Sequence, residues 1–376
     1  MKTVGIIGAG PAGCACAKFL QDSASVTLFD FGSPLRTLLP TGGGRCNLAH
    51  AEYDFKELAQ NYPRGEKFLY SIFSRFSTAD TLEFFERIGV TTYTQEDCRI
   101  FPESNSSKTV REALLNSLNK TTIKREKALR IELQEKIKLV TDMNSYYFDS
   151  LVIATGGHAG YDIVKRLGVD IVAPKPALVG LVTKENFSNL SGVVVSNCSA
   201  EGINDSLLFT HKGVSGPLIY KVSSIKARDV FPYTLMIDLY PQEINLQDLL
   251  NENPHKQINN LLSEFLPKKV VDLIIELANV SKEKKCHLIN AKMRDYILEK
   301  IHSFQVTVTG TTPDGEVVTA GGVSLKEICP KTLESKKYKG LYFIGEVLDI
   351  DGFCGGFNLQ NCWSTAFVAS DAILSM

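Results

Sequence analysis

Short apolar segments at the start of the chain alternate with a glycine-rich turn and a stretch of small residues. Residues 2–7 (KTVGII) form a first apolar run, and residues 25–29 (SVTLF) form a second, β-branched run. Both runs are typical of buried strands, and the small residues 14–20 between them are compatible with a helix. This order predicts a strand–helix–strand unit at the beginning of the chain.

The turn after the first strand is a complete G-x-G-x-x-G motif, residues 8–13. Gly8 permits a tight turn, Gly10 lets a pyrophosphate approach the backbone, and Gly13 allows the helix to pack closely on the sheet. The unpaired N–H groups of the first helical turn attract an anion. Asp30 directly follows the second strand, where a carboxylate can bind a ribose. We therefore interpret the motif as a dinucleotide site rather than as an ordinary glycine-rich turn.

Along the rest of the chain, segments with helical periodicity alternate with segments that have the alternation typical of strands. Residues 54–90 have helical periodicity, and residues 121–153 alternate as in a β-meander that ends in a buried strand before Gly156. Residues 181–240 are mostly strand-like, and residues 246–301 are helical and polar outside. A buried strand returns at 341–344, followed by two glycines and a helix.

These changes predict an inserted unit. We expect a first domain part over 1–186, an insert over 187–312 and a second domain part over 313–376. Within the insert, 187–245 and 302–312 are predicted to be β-rich and 246–301 helical.

Composition narrows the classes of function. The chain has 376 residues, of which 44% are hydrophobic and 22% charged, and its net charge is −1. The near-neutral charge and the lack of a basic run argue against nucleic acid as a partner, and no apolar run approaches the length of a membrane span. We therefore expect a small-molecule substrate and no membrane, and leave the oligomeric state open.

The number and spacing of the cysteines predict the cellular location of the protein and the redox state of its thiols. The nine cysteines are scattered, none of them forms a C-x-x-C motif, and together with the six histidines they make no zinc pattern. Because the start of the chain also lacks a signal-peptide layout, we expect reduced thiols, a cytoplasmic location and no metal.

Several further glycine-rich motifs resemble one family. They are TGGGRCN at 41–47, LFTHKGVSGP at 208–217, TAGGV at 319–323, TLESK at 332–336, GLYFIGE at 340–346 and GEVLDIDGFCGGFNLQ at 345–360. With the first motif, they resemble the BaiN/YhiN-like NAD(P)/FAD-dependent oxidoreductases, a family that includes a bile-acid 3-oxo-enoyl reductase and aminoacetone oxidase. The resemblance implies an α/β fold, in which a Rossmann-like, glutathione-reductase-like FAD-binding domain carries an inserted β-barrel and helical unit.

The resemblance also implies positions for FAD. The pyrophosphate would lie on residues 8–13, with Asp30, Phe31 and Arg36 towards the adenosine, and Ala128 would line the adenine. Residues 43–47 would approach the flavin or its phosphates, and Glu346 would reach the ribityl chain. Residues 355–358 would present N–H groups to the pyrimidine edge of the flavin. The full implied set is Gly8, Gly10, Pro11, Ala12, Gly13, Asp30, Phe31, Arg36, Gly43, Gly44, Arg45, Asn47, Ala128, Ala154, Thr155, Gly156, Gly345, Glu346, Gly355, Gly356, Phe357 and Asn358.

Two features depart from the family pattern. Family members usually have a longer Gly/Ser/Pro loop after the glycines at 156–157, whereas here the chain runs through 158–161 directly into a predicted helix. Phe357 also stands where the family usually has tyrosine. The shorter loop is expected to affect the substrate pocket.

No catalytic acid or base is assigned from the sequence. The candidates are His211, Cys46, Cys354 and the carboxylates Glu346, Asp349 and Asp351, but for each of them a structural role is favoured.

We expect an FAD-dependent oxidoreductase that transfers a hydride between flavin and a small organic substrate, with NAD(P)H as a possible reductant. The alternatives are an oxygen-using amine or aminoketone oxidase and, less favoured, a flavoprotein with an RNA-modifying or redox-sensing role.

Overall fold

The computed structural model describes residues 1–312 and 318–375. Within these ranges the strands are β1 (Thr3–Ile7), β2 (Ser25–Phe29), β3 (Ala49–His50), β4 (Thr92–Thr94), β5 (Arg99–Pro102), β6 (Thr122–Lys124), β7 (Ala128–Glu132), β8 (Ile137–Thr141), β9 (Ser145–Phe148), β10 (Ser150–Ile153), β11 (Ile171–Ala177), β12 (Leu181–Thr183), β13 (Val194–Ala200), β14 (Ile203–Thr210), β15 (Gly213–Ser215), β16 (Tyr233–Ile237), β17 (Phe304–Thr311), β18 (Val318–Val323) and β19 (Leu341–Phe343).

The helices in the same ranges are α1 (Pro11–Leu20), α2 (Phe55–Gln60), α3 (Glu66–Phe73), α4 (Thr78–Arg87), α5 (Ser107–Asn116), α6 (Tyr161–Arg166), α7 (Pro217–Ile225), α8 (Leu246–Glu252), α9 (Ile258–Leu262), α10 (Lys268–Leu277), α11 (Ala291–His302) and α12 (Phe357–Ser375). Among the described residues, no helix is both long enough and apolar enough to cross a bilayer.

The chain divides into two compact units. The first comprises Met1–Lys175 and Val318–Met376, and the second comprises Pro176–Val317. The first boundary lies before β12 rather than at 186/187, because β12 pairs with β15 and β17 of the second unit. The predicted second boundary, 312/313, falls at residues outside the described ranges.

A five-stranded parallel sheet forms the centre of the first unit. Its order is β19-β10-β1-β2-β6, and every neighbouring pair is parallel. The strands β1, β10 and β19 are almost wholly buried, as is usual for a parallel sheet. Helices α1 and α12 lie side by side, and the Ser370 hydroxyl is 3.3 Å from the Cys16 thiol. Small residues on α1 allow this close packing.

This unit also contains two three-stranded antiparallel sheets. The order β7-β8-β9 accounts for part of the predicted meander at 121–153, whereas β6 and β10 at its two ends belong to the parallel sheet. The second small sheet, β3-β5-β4, includes a strand at Arg99–Pro102 that periodicity does not reveal.

The second unit is built on a curved antiparallel sheet of order β13-β14-β15-β12-β17-β16. Ser199 and Asp238 exchange two backbone hydrogen bonds of 2.8 Å, which join the edge strand β13 to the residue after β16. The sheet therefore curves back on itself like a barrel. Helices α8 to α11 add their apolar faces to the same core, which includes the buried Leu235, Ile274 and Ile297.

Candidate functional site

Four glycine-containing turns follow four neighbouring parallel strands of the first unit. The strands end at Ile7 (β1), Phe29 (β2), Ile153 (β10) and Phe343 (β19). Because the strands are parallel, the turns after them meet at one edge of the sheet. Ligands of open α/β sheets bind at this edge.

The three glycines of the G-x-G-x-x-G turn serve two purposes, close packing and access for a ligand. A Cβ on Gly13 would lie 1.9 Å from the Gly8 oxygen, and one on Gly8, at φ +105°, would lie 2.3 Å from the Ala154 oxygen. Both positions must be glycine for the strand, turn and helix to pack. A Cβ on Gly10 would instead meet nothing closer than 3.8 Å, at the Thr37 hydroxyl. Gly10 therefore faces space that a ligand can fill.

The N-terminus of α1 faces the same space. Pro11 occupies its first turn, Gly10 provides no side-chain cap, and the first described helical bond runs from the Cys14 N–H to the Gly10 oxygen at 3.0 Å. The N–H groups of Ala12 and Gly13 precede this bond and have no helical partner. The Ala12 N–H lies against the sulfur of Cys362, and the partial positive charge of this helix end as a whole suits a phosphate.

Asp30 stabilises the glycine turn from the end of β2. Its carboxylate accepts hydrogen bonds from the N–H groups of Ala9 and Gly32, both at 2.7 Å. Each carboxylate oxygen retains a second lone pair, so the group can also accept from a ribose hydroxyl. On the adenosine side, Phe31 is exposed, and its carbonyl oxygen accepts a 3.4 Å bond from the Arg125 Nε. Arg36 begins a short 3₁₀ turn, and Ala128 is the first residue of β7.

The turns after β10 and β19 also lie against this region. A Cβ on Gly345 would lie 2.7 Å from the Ala12 Cβ, so this glycine lets β19 approach α1. Glu346 accepts a hydrogen bond from the Thr319 N–H at 3.1 Å. Its other oxygen lies 4.0 Å from where a Cβ on Gly156 would be.

Two buried hydroxyl groups in this region have no hydrogen-bond partner among the described residues, those of Thr155 and Tyr161. Burial, together with the nearby carboxylates of Glu346 and Asp349, raises the pKa of Tyr161. The phenol therefore stays protonated and can donate. Buried hydroxyls normally have a partner, so these two indicate a polar group that binds beside them.

A second group of predicted residues meets at the N-terminus of α12. With its amide oriented to satisfy both polar atoms, Asn47 accepts from the Gly356 N–H at 3.0 Å and donates to the oxygens of Ala49 and Ile100. The Gly356 N–H is therefore held by Asn47, contrary to the expectation that it faces a cofactor. The N–H groups of Phe357 and Asn358, in the first turn of α12, have no helical partner.

The loop before α12 is held from several sides. The Asn358 side chain accepts from the Gly352 N–H at 2.9 Å and donates to the Gly352 oxygen at 2.7 Å. His50 Nδ1 lies 3.1 Å from the Gly355 oxygen, and its ring packs on Phe357 with centroids 4.6 Å apart. The loop is thereby kept in one arrangement, with its glycines close to β3.

The segment before α3 provides another support, which the sequence did not reveal. Tyr62 donates to the Phe357 oxygen at 2.6 Å, and Arg64 forms a two-pronged ion pair with Asp351, which is fully buried. Burial raises the pKa of Tyr62 far above its usual range. These contacts span nearly 300 residues of sequence, so no local pattern could predict them.

The candidate acids, bases and thiols fall into two groups, those that are buried or bonded to other residues and those that are exposed. Burial raises the pKa of Cys46 to about 12, so its thiol is not a nucleophile at neutral pH. Cys354 is exposed, and His211 is exposed in the turn between β14 and β15. Asp351 is bound by Arg64 and Glu346 by the Thr319 N–H. The structure therefore gives structural roles to Cys46 and Asp351.

The donor set fits FAD. The described part of the chain brings together glycines with open space at their Cβ positions (Gly10, Gly43, Gly44, Gly156), two helix N-termini and the unpartnered hydroxyls of Thr155 and Tyr161. This set suits an elongated, doubly charged dinucleotide. Residues 8–13, Asp30 and Glu346 would hold its adenosine, pyrophosphate and ribityl parts. The N-terminus of α12 would face the flavin, where it stabilises negative charge.

Comparison with known proteins places the chain in a family. The model of the HI0933-like protein Rossmann domain matches residues 2–372. This chain is a member of the HI0933-like family. Like the FAD-dependent oxidoreductases that the fold and motifs resemble, it is a flavin-dependent oxidoreductase and an enzyme.

Two relatives and one solved structure illustrate the breadth of the similarity. A ribosomal RNA dihydrouridine synthase of Haemophilus influenzae is 31% identical, over 98% of this chain and 97% of its own. A 3-dehydro-bile acid delta(4,6)-reductase of Clostridium scindens is 28% identical, over 99% of both chains. The Mycobacterium smegmatis Sdh1 complex in the apo form shares the fold, with a TM-score of 0.52, 12% identity, and coverage of 100% of this chain and 69% of that one.

Proposed function

We propose that this enzyme reduces a carbon–carbon double bond conjugated with a carbonyl group, with FAD as cofactor and NAD(P)H as reductant. The names of the two curated relatives carry the proposal. A dihydrouridine differs from uridine by two hydrogens across a ring double bond conjugated with a carbonyl. The double bonds of a 3-dehydro-delta(4,6) bile acid are likewise conjugated with the 3-oxo group. Two relatives with unlike substrates thus share one kind of reduction.

The site is consistent with this chemistry. FAD supplies a hydride carrier that either a nicotinamide or a substrate can address. The N-terminus of α12 is bonded to Asn47 through the Gly356 N–H, and the guanidinium of Arg45 lies in the same loop as Asn47. Positive groups at this position stabilise negative charge that develops on a carbonyl oxygen during hydride addition.

Two substrate classes follow from the relatives. The uracil ring of ribosomal RNA is the first candidate, because the relative with 31% identity acts on it by name. A small conjugated ketone is the second, favoured by the reductase of 28% identity and by the net charge of −1, which provides no general attraction for RNA.

Anaerobic absorbance spectroscopy tests the proposal. NADPH or NADH should bleach the flavin of the purified enzyme, and a uridine-containing transcript or 2-cyclohexenone should restore its colour without oxygen. Colour restored by oxygen alone would contradict the proposal and favour an oxidase. Restoration by the transcript but not by the ketone would select RNA.

A further inference from the structure

Arg45 is a cation without a carboxylate partner. Its Nε makes a long 3.4 Å hydrogen bond to the Gly42 oxygen, and it forms no ion pair with any residue in the described part of the chain. Its two terminal nitrogens are therefore available to another group. Arg45 is half-buried, so it is not a freely moving surface side chain.

An aromatic platform fixes the guanidinium of Arg45. The guanidinium carbon lies 4.1 Å from the centroid of Phe101, whose side chain is fully buried on β5. Arg99, on the same strand, lies 5.7 Å from the same centroid, but Asp97 neutralises it at 2.6 Å. Two arginines thus share one ring, and only Arg45 keeps its charge uncompensated.

The loop around Arg45 is open. A Cβ on Gly43 would meet no atom within 4 Å, and one on Gly44 would meet only the Leu39 oxygen, at 4.0 Å. Two residues after Arg45, Asn47 holds the Gly356 N–H at the start of α12. A fixed guanidinium, an open glycine loop and a helix N-terminus therefore lie next to one another.

We propose that Arg45 binds the carbonyl oxygen of the substrate and stabilises the charge that forms on it. This inference rests on the proposed function and gives Arg45 a role with the substrate in place of the cofactor role implied by the family resemblance. When a hydride adds to the β-carbon, the double-bond electrons shift towards the carbonyl and its oxygen becomes anionic. A proton from water at the α-carbon completes the reduction. NAD(P)H, through the cofactor, provides the hydride and is oxidised to NAD(P)⁺.

A planar guanidinium suits this oxygen better than an ammonium does. Its two terminal nitrogens lie in one plane, which Phe101 fixes, and one N–H group of each can point at the oxygen. Donors fixed before the reaction stabilise developing oxyanions strongly, and losing one typically costs about 10²-fold or more in rate. Lysine retains the charge but lacks the planar pair of donors, so it should restore only part of the effect.

The test uses the holoenzyme and the variants Arg45→Gln, Arg45→Lys and Arg99→Gln, with 4-chlorophenolate as the probe. The phenolate oxygen mimics the enolate and does not react, so binding is measured from the change in flavin absorbance. We expect at least about tenfold weaker phenolate binding for Arg45→Gln, an intermediate loss for Arg45→Lys, and a change within about twofold for Arg99→Gln. Reoxidation of the reduced enzyme by 2-cyclohexenone or the uridine transcript, whichever the wild type accepts, should fall in the same order.

Several outcomes would overturn the assignment. Equal phenolate affinity in wild type and Arg45→Gln would do so, as would a wild type that does not bind phenolate. A large loss of FAD affinity in Arg45→Gln, measured by flavin fluorescence with the apoprotein, would instead assign the side chain to the cofactor phosphates. Wild type that binds phenolate through Arg45 but is not reoxidised by either substrate would refute the proposed reduction while leaving the oxyanion site in place.

Discussion

At the scale of the residue, the three glycines of the G-x-G-x-x-G motif have different surroundings in the structure. Gly13 and Gly8 are required because a Cβ would overlap backbone atoms at 1.9 and 2.3 Å, whereas Gly10 has open space. The sequence motif predicted all three roles, because they follow from the geometry that every dinucleotide turn shares. It could not predict the roles of Asn47 and His50, whose partners Gly356 and Gly355 lie about 300 residues away.

Replacing Gly10 by alanine separates binding from folding. Gly10 has φ −79°, which alanine adopts without strain, so the apoprotein should unfold at the same urea concentration as wild type or slightly higher. The added methyl group should occupy the pyrophosphate space and weaken FAD binding by about tenfold or more. Gly13→Ala is the contrasting control, and overpacking should destabilise it by about 2 kcal/mol or more. FAD binding to Gly10→Ala with wild-type affinity would show that the dinucleotide does not use this turn.

At the scale of the element, the N-terminus of α12 depends on a segment far away in sequence. Asp349 and Asp351 were candidate acids or bases with a structural role as the alternative, and the structure shows Asp351 fully buried in an ion pair with Arg64. Tyr62 adds its bond to the Phe357 oxygen. Hydrophobic periodicity predicts the helices within residues 54–90. It does not predict that the segment between two of them contacts the loop before α12.

Replacing one partner of this ion pair should destabilise the protein much more than replacing both partners by apolar residues. Asp351→Asn removes the carboxylate charge that Arg64 pairs with, so the free energy of unfolding should fall by about 3 kcal/mol. The double variant Arg64→Met, Asp351→Leu should recover most of that loss, since neither charge is then buried alone. Urea unfolding of the apoproteins, followed by tryptophan fluorescence of the buried Trp363, measures both. Equal losses in the single and double variants would contradict the pair as the cause.

The first strand has a pH-dependent attachment at Asp149. This carboxylate accepts from the Thr3 N–H at 2.8 Å, from the Thr3 hydroxyl at 2.7 Å, and pairs with Lys136 at 2.9 Å. The hydrogen bond from the Thr3 N–H contributes most, followed by those from Lys136 and from the Thr3 hydroxyl, and together they lower the pKa of Asp149 well below its usual value near 3.8. A depressed folded pKa stabilises the fold above the unfolded pKa, and that stability is lost as the pH falls through the folded value.

Asp149→Asn should therefore be less stable than wild type at pH 7 by about 1 kcal/mol. The difference should begin to shrink below about pH 4, where the carboxylate of the unfolded wild-type chain takes up protons. Urea unfolding at pH 7, 5 and 3 checks this. A difference that is constant over this range, or that grows as the pH falls, would rule out the carboxylate as the source.

At the scale of the whole molecule, the sequence predicted the nucleotide-binding half better than the insert. The strands β1, β2, β10 and β19 were predicted, because each is an apolar run followed by a glycine-containing turn, whereas the edge strand β6 was interpreted as part of the meander. The strands β3 and β5 of the β3-β5-β4 sheet were not predicted, because they are short and their pairing is set by tertiary contacts. The insert begins at Pro176, whereas the sequence predicted 187. The prediction was late because β12 has only three residues and no local signal marks the strands with which it pairs.

The most direct test of the account is detection of the reduced product. The enzyme, FAD and NADPH are incubated without oxygen with a ribosomal RNA transcript and, separately, with 2-cyclohexenone, and the products are analysed by mass spectrometry. The account predicts that at least one substrate gains two hydrogens across its conjugated double bond while an equal amount of NADPH is consumed. Unchanged masses for both substrates, with NADPH consumed only when oxygen is admitted, would contradict it.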